Sequence, residues 1–500
     1  MPPTPDAFAA PIVGPDRGRA DACPGALRLH PAEDGHLARL RLPGGYLTYR
    51  QMLAVADAAD TLGDGDIEIT SRGNLQLRGL PEHCADDLAE RLRTVGLLPS
   101  DTHERVRNIV ASPLAGLDGN GCPDVDLPHW VRELDASLCA APWAARLSGK
   151  FLFALDDGRG DTAALDADVT LIAVGDGRAL LRLGRAHRAT TVDHPVSAAL
   201  YAARHFLDLA DGRAWHLREV QAELPDGDVP LPRFAGERPA LGMVASAVPA
   251  GSAVSGGSAV SGGSVGLGGS AVSVGLRFGR ASSSQWRLLA EVLGPDGGES
   301  VRLTPWRGVV VPSAGAGFAA DALPRLAEAG FRVESGGPWE GVSACTGLPG
   351  CGKALADVRA QATRTIATVP AEGLPVHWSG CERRCGHPAG RWVDVLATAT
   401  GHRIAVDGRV REIGTVRETG SDGPTASAAT ASDVTTSDTT PSATAASAAT
   451  ANAATANAAT TSDVTANDAT TNDATTNDVT TNNLAEAVAE ARNAEWRRTA

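Results

Sequence analysis

Four cysteines fall in two close pairs. Five residues separate Cys345 from Cys351, and three separate Cys381 from Cys385. Soft thiolates in this number select zinc or iron–sulfur. Structural zinc sites use tighter C-x2–4-C pairs. The spacer Thr346-Gly347-Leu348-Pro349-Gly350 suits a loop wrapped around the face of a larger, cuboidal cluster. The spacing therefore favours an iron–sulfur centre, with zinc and four unrelated buried thiols as the alternatives. Lys353, Arg383 and Arg384 would raise its potential. The segment 353–366 reads as a helix whose N-terminus adds partial positive charge. Cys23, Cys84, Cys122 and Cys139 lack paired spacing and read as buried structural thiols, Cys23 in its Cys-Pro-Gly setting least firmly.

A second set could hold an anion. In Thr70-Ser71-Arg72-Gly73-Asn74-Leu75-Gln76-Leu77-Arg78, strand alternation puts Asn74, Gln76 and Arg78 on one face, with Arg72 at the turn beside them. Arg105 and Arg107 lie at strand spacing, and Lys150 opens the run KFLFAL. Arg302-Leu303-Thr304-Pro305-Trp306-Arg307-Gly308 occupies a matching place further on. Guanidinium forks suit carboxylates, and Trp306 can stack on a flat conjugated ligand. A solvated charged face is the alternative for each residue taken singly.

The elements that must position these residues recur. HLARLRL alternates as a strand, LTYRQMLAVADAADTLG has helical periodicity, and DIEIT and NLQLRGL are strands again. VGLRFG, SSQWRLLAEVLG, ESVRLT and RGVVVPS repeat the order, and each copy runs on into a further helix (84–96; 318–329). The expectation is an α+β fold of duplicated modules about a pseudo-twofold axis, with a ligand cleft between them. The expected divisions are a flexible leader at 1–20, a first half-domain at 21–95, the rest of the first domain at 96–245, and a Gly/Ser-rich linker at 246–273. A second half-domain follows at 274–335, a cysteine-bearing domain at 336–417, and a Thr/Ala/Ser/Asp-rich disordered tail at 418–500. Within that tail Leu484–Arg498 can form one short helix, the alternative being a solvated end.

With 500 residues, 43% hydrophobic, the chain can build two or three cores, and its net charge of −14 gives no argument for nucleic acid. No run approaches the roughly 20 apolar residues of a membrane helix, and the N-terminus lacks a secretory h-region. The reading is a cytoplasmic protein, where thiols stay reduced.

The cysteine set, TSRGNLQLRG, VRNIVASPLAG and GKFLFAL together resemble the sulfite/nitrite reductase superfamily over about residues 23–415. The resemblance implies duplicated ferredoxin-like half-domains, a [4Fe–4S] cluster on Cys345, Cys351, Cys381 and Cys385, and basic residues of both halves around a tetrapyrrole. ACPG, RLRLPGG, RLTPWRG and HWSGCERRCGHP are most similar to the precorrin-3B synthase branch. That branch uses O2 and NADH to hydroxylate precorrin-3A at C20, with γ-lactone formation, in aerobic cobalamin synthesis. Sulfite-reducing members carry a second lysine where this chain has Leu152, and often an Asn where it has Arg383. Loss of a proton donor argues against sulfite chemistry. On this reading Arg72, Arg107, Lys150 and Arg307 hold substrate carboxylates, with Asn74, Gln76, Arg78 and Trp306 nearby. The resemblance also implies a mononuclear non-haem iron, for which His377 and His387 are the candidates, structural histidines being the alternative. No dinucleotide fingerprint is present, so NADH acts through a separate reductase or ferredoxin. A sirohaem-dependent sulfite or nitrite reductase is the competing function, and a non-catalytic tetrapyrrole-binding or redox-sensing protein a third.

Overall fold

The computed structural model describes residues 21–245, 271–313, 317–414 and 473–493, less 22, 226, 296–299 and 389, with the backbone alone for 473–482. The leader at 1–20 and most of the 418–500 segment lie outside the described residues.

The duplication is plain in the sheets. The first runs His30–Ala32, Gly35–Leu40, Leu75–Leu80, Asp66–Ile69, and closes with Arg280–Ser282. The second runs Gly242–Val244, Ala271–Gly275, Gly308–Pro312, Val301–Leu303, and closes with Tyr46–Leu47. Each sheet thus borrows its last strand from the other half. The crossing points match in detail. Gly44 and Gly45 have φ of 65° and 74°, and Phe278 and Gly279 have 56° and 76°. A Cβ on Gly45 would lie 2.3 Å from the Leu303 carbonyl oxygen, so the borrowed strand can approach only a glycine there.

Each crossing leads into a helix with the same N-terminal device. Thr48 and Gln51 form a capping box on Tyr49–Leu62, and Ser282 and Gln285 one on Ser283–Leu293. The two glutamines then donate to the carbonyls of Val95 and Ala329. The helices pack on each other, and Met52, Val55, Trp286 and Leu289 join one core shared by both halves.

Between the halves in sequence lies a six-stranded sheet in the order Val229–Pro230, Arg188–Val192, Arg178–Leu183, Val169–Gly175, Phe153–Asp156, Ile109–Ala111. Helices Leu127–Ala140 and Pro195–Ala210 share its core. A fourth sheet carries the cysteines: Val342–Ala344, Val376–Ser379, Val393–Thr398, Gly401–Val406 and Arg409–Gly414.

Several expectations need correcting. The Gly/Ser-rich segment at 246–273 does not divide domains. Strands Gly242–Val244 and Ala271–Gly275 pair antiparallel, Val244 opposite Ala271, so it is an insertion inside one hairpin of the second half. The strand after Lys150 begins only at Phe153. Arg105 and Arg107 precede strand Ile109–Ala111, in a turn and short link closed by Val106 N–H to His103 O and Asn108 N–H to Val106 O. The segment expected to be a disordered tail contains a helix, Asp473–Arg492, which overlaps the short helix expected at 484–498 and starts earlier. Its Leu484, Ala485, Val488 and Ala491 enter the core of the fourth sheet. The buried Arg492 donates to the carbonyls of Glu340 and Ala371. No helix among the described residues is long and apolar enough to cross a membrane.

Candidate functional site

Strands Val342–Ala344 and Val376–Ser379 are parallel neighbours, so the chain leaves both at the same end of the sheet. Cys345 follows the first directly, and Cys381 stands two residues beyond the second. Cys345 N–H donates to the Trp378 carbonyl (2.9 Å), and Gly380 N–H donates to Cys345 Sγ (3.2 Å). A turn after Cys381 brings Cys385 back, and a loop held by Leu348 N–H to Ala356 O carries Cys351. Burial pushes the Cys345 thiol up, the Gly380 and Gly347 amides oppose this, and the nearby Cys381 and Cys385 add to it.

Among the described residues no three of these sulfurs have their Sγ atoms within 4.8 Å of one another. A tetrahedral zinc with bonds of ~2.3 Å holds its sulfurs about 3.8 Å apart. An amide donating to a ligand sulfur fits an iron–sulfur cluster.

The surroundings differ from expectation in one respect. The helix after Cys351 begins at Val358 and not at 353, and its N-terminus is capped by the Asp357 carboxylate. Arg359 on that helix is paired with Glu68, and its Nε donates to the Cys345 carbonyl (3.2 Å). Arg384 is tied to Asp394 and Glu382, which offset its charge.

The predicted anion ligands separate into groups. Arg72 is half-buried and donates to the Lys150 carbonyl (3.0 Å), while Lys150 Nζ lies 3.6 Å from the centre of the Trp215 ring. Arg307 reaches the cysteine loop: its Nη2 lies 3.2 Å from where a Gly386 Cβ would stand. Its φ of 62° is a strained position for a side-chain-bearing residue. Arg107 is not available to a ligand, since it forks onto Asp135 and also holds the Leu97 carbonyl. Asn74 is spent on the Leu42 amide and Asn108. Arg78 forks onto Asp34 and donates to the Gly350 carbonyl (2.7 Å), so it braces the Cys345–Cys351 loop. Gln76 joins Arg39 to Glu68. Trp306 points elsewhere, into a cavity of about 230 Å³ with Ser273, Arg332 and Glu340. A wider cavity of about 700 Å³ opens beside Thr346, Leu348 and Gly350.

Two pocket residues were missed. Arg39 and Arg41 gather with Arg72 and Cys23, and burial with mutual repulsion pulls Arg41 down to about 9. Arg39 Nε and Arg41 Nη1 are buried without partners among the described residues. Three guanidinium groups held together with spare donors are built for an anion. The signal was their i, i+2 spacing in HLARLRL.

The candidate iron ligands do not assemble. His377 is buried with Nδ1 on Ser343 Oγ (2.8 Å), whereas His387 is exposed and stacks on Trp392. Among the described residues no carboxylate joins them in a three-ligand group, so these residues do not fit such an iron. The trio that does meet is Asp156, Asp157 and Asp161, but backbone amides, Thr162, Ser112 and Arg159 occupy it. Burial and Asp156 push Asp161 up to about 7. Its proton is therefore held more tightly folded than unfolded. The stability it contributes is full below pH ~4 and is lost as the pH rises to ~7. Asp161→Asn is expected to gain at least about 1 kcal/mol at pH 8 relative to its effect at pH 5. Urea unfolding at the two pH values tests this, and equal effects at both would refute it.

Comparison with known proteins agrees with this geometry. Residues 30–95 match the nitrite/sulfite reductase ferredoxin-like half domain. A precorrin-3B synthase of Sinorhizobium sp is 27% identical over 80% of this chain and 86% of its own. A ferredoxin–nitrite reductase of Synechococcus elongatus is 27% identical over 75% of this chain and 78% of its own. The solved structure of the Mycobacterium tuberculosis NirA protein superposes with a TM-score of 0.55 at 18% identity, covering 75% of this chain and 77% of that one. Residues 30–95 are thus similar to a nitrite/sulfite reductase half domain, and the fold is similar to that of the NirA protein.

Proposed function

We propose that the chain is a precorrin-3B synthase. It would take precorrin-3A, O2 and electrons from NADH, and hydroxylate C20 with γ-lactone formation. Four cysteines would hold a [4Fe–4S] cluster, which supplies one-electron transfer when bound. A separate reductase or ferredoxin would feed it, in the cytoplasm. Arg39, Arg41, Arg72 and Arg307 would receive the acetate and propionate groups of the substrate, with Lys150 beside Arg72. Arg78 would hold the cysteine loop against the first half.

The observation that carries this reading is Leu152. It is 5% exposed and packs with Val110, Ala154 and Ala167. Where sulfite-reducing members are expected to place a second proton-donating lysine, this chain has an apolar core residue. The Sinorhizobium relative supports the same branch. The equal identity of the cyanobacterial relative favours a second reading, a sirohaem-dependent nitrite reductase.

One experiment separates the two. Anaerobically purified protein is assayed for iron, extracted for pigment, and given precorrin-3A with O2 and an electron donor. Iron without sirohaem, and turnover to the hydroxylated lactone, is the expected result. Extracted sirohaem with nitrite reduction would replace it. In the same assay Arg72→Ala/Arg307→Ala is expected to weaken precorrin-3A binding at least about tenfold with iron content kept; unchanged binding would end the carboxylate assignment.

A further inference from the structure

A continuous hydrogen-bonded chain links the arginine group to the cysteine loop. Arg39 Nη2 donates to Gln76 Oε1 (3.0 Å), and Gln76 Nε2 donates to Glu68 Oε2 (2.9 Å). Glu68 Oε1 accepts from Arg359 Nη1 (2.6 Å), and Arg359 Nε donates to the carbonyl of Cys345 (3.2 Å). Every link has a fixed sense. The Gln76 amide must face its oxygen to a guanidinium and its nitrogen to a carboxylate. Glu68 is 9% exposed and Gln76 8%, so solvent does not screen the charges along it. Burial would raise the Glu68 carboxyl, but Arg359 holds it below its ordinary value.

The duplicated half shows that the fold does not require this chain. Glu68 pairs across the sheet with Gln76, and at the matching register Arg302 pairs with Val310. Arg302 turns away to the Pro113 and Ala115 carbonyls, and Val310 has nothing to relay. The polar chain is present only in the half that faces the cysteines. Its outer end, Arg39, keeps a buried Nε without a partner among the described residues. A ligand oxygen that reaches this donor engages Arg39 without breaking its bond to Gln76.

We propose that Gln76, Glu68 and Arg359 are positioning residues that couple anion occupancy at Arg39 to the redox potential of the cluster held through Cys345. An anion on Arg39 neutralises its charge and lessens its polarisation of the Gln76 amide, which leaves Glu68 holding Arg359 more strongly and reduces the positive field at the Cys345 carbonyl. The cluster then becomes harder to reduce while the ligand is bound. By linkage, reduction weakens ligand binding by the same factor. The inference rests on the proposed cluster and anion pocket.

The test is an anaerobic, EPR-monitored redox titration of the full-length reconstituted chain, with and without saturating uroporphyrin III as a carboxylate-bearing tetrapyrrole probe. Iron, sulfide and probe binding are measured first. A chain that takes up no cluster, or no probe, would overturn the reading beneath the proposal and the proposal with it. With both bound, the probe is expected to change the reduced-to-oxidised ratio at fixed potential about tenfold, 59 mV for one electron. Gln76→Met should lose more than half of that shift. Glu68→Gln, which keeps the size of the side chain but removes its charge, should raise the probe-free potential. A full shift in Gln76→Met would mean that the field acts through space, and an unmoved potential in Glu68→Gln would mean a merely structural pair; either result overturns the relay.

Discussion

Cys345→Ser protein, reconstituted anaerobically with iron and sulfide, is expected to retain less than about one iron per chain, against about four in the unaltered protein. A serine oxygen is a hard, weakly acidic donor, and the position cannot be supplied from elsewhere. The Gly380 amide already points at this sulfur, and the parallel strands fix where it stands. Cys139→Ser is the matched control, since that thiol sits on helix Leu127–Ala140, far along the chain from the four. Iron content and visible absorption read both. Equal loss in the control would show general destabilisation, and full iron in Cys345→Ser would remove it from the ligand set.

The second large effect is expected at the C-terminus. A chain ended after Gly414 lacks helix Asp473–Arg492 and leaves the core around Trp378, Val395 and Ile404 open on one side. Leu484 and Val488 are 4% and 0% exposed. Their burial alone contributes roughly 1.5–3 kcal/mol each, and the Arg492 bonds add more. The cysteine-bearing part should melt more than about 10 °C lower and lose its iron on dilution. Val488→Asp, which puts an unpaired charge at the same place, should cost about 3–5 kcal/mol. Melting curves followed by visible absorption test both. Unchanged melting of the shortened chain would mean that the helix is dispensable to the fold.

How much of this was legible follows from what each signal encodes. The four cysteines announce themselves by spacing because thiolates on two short loops have few other uses. Helices 49–62 and 283–293 show in the sequence because one face of each is apolar for three turns. The C-terminal helix shows only in part, as a short helix at 484–498, because its buried face is mostly alanine, and only the surface it covers reveals its role. Arg72 and Arg307 look equivalent by residue type. The turns, however, are counted from their threonines: Gly73 N–H bonds to the Thr70 carbonyl and Arg307 N–H to that of Thr304. Arg307 therefore takes the place of Gly73, and Trp306 that of Arg72, so the two arginines reach different ends of the site. Arg107 has a partner 28 residues away in Asp135, which no local pattern discloses.

The exchanged edge strands have a consequence for how the chain is made. On the ribosome, the first sheet stays one strand short until Arg280–Ser282 has emerged, almost two hundred residues after its own last strand, Leu75–Leu80. During synthesis the exposed flank of Asp66–Ile69 is an unpaired edge, open to pairing with another nascent copy. Once Ser282 arrives the two halves lock together, and neither can afterwards leave without unravelling a sheet of its neighbour. A cut between residues 246 and 270 would therefore yield two fragments that stay together as one particle.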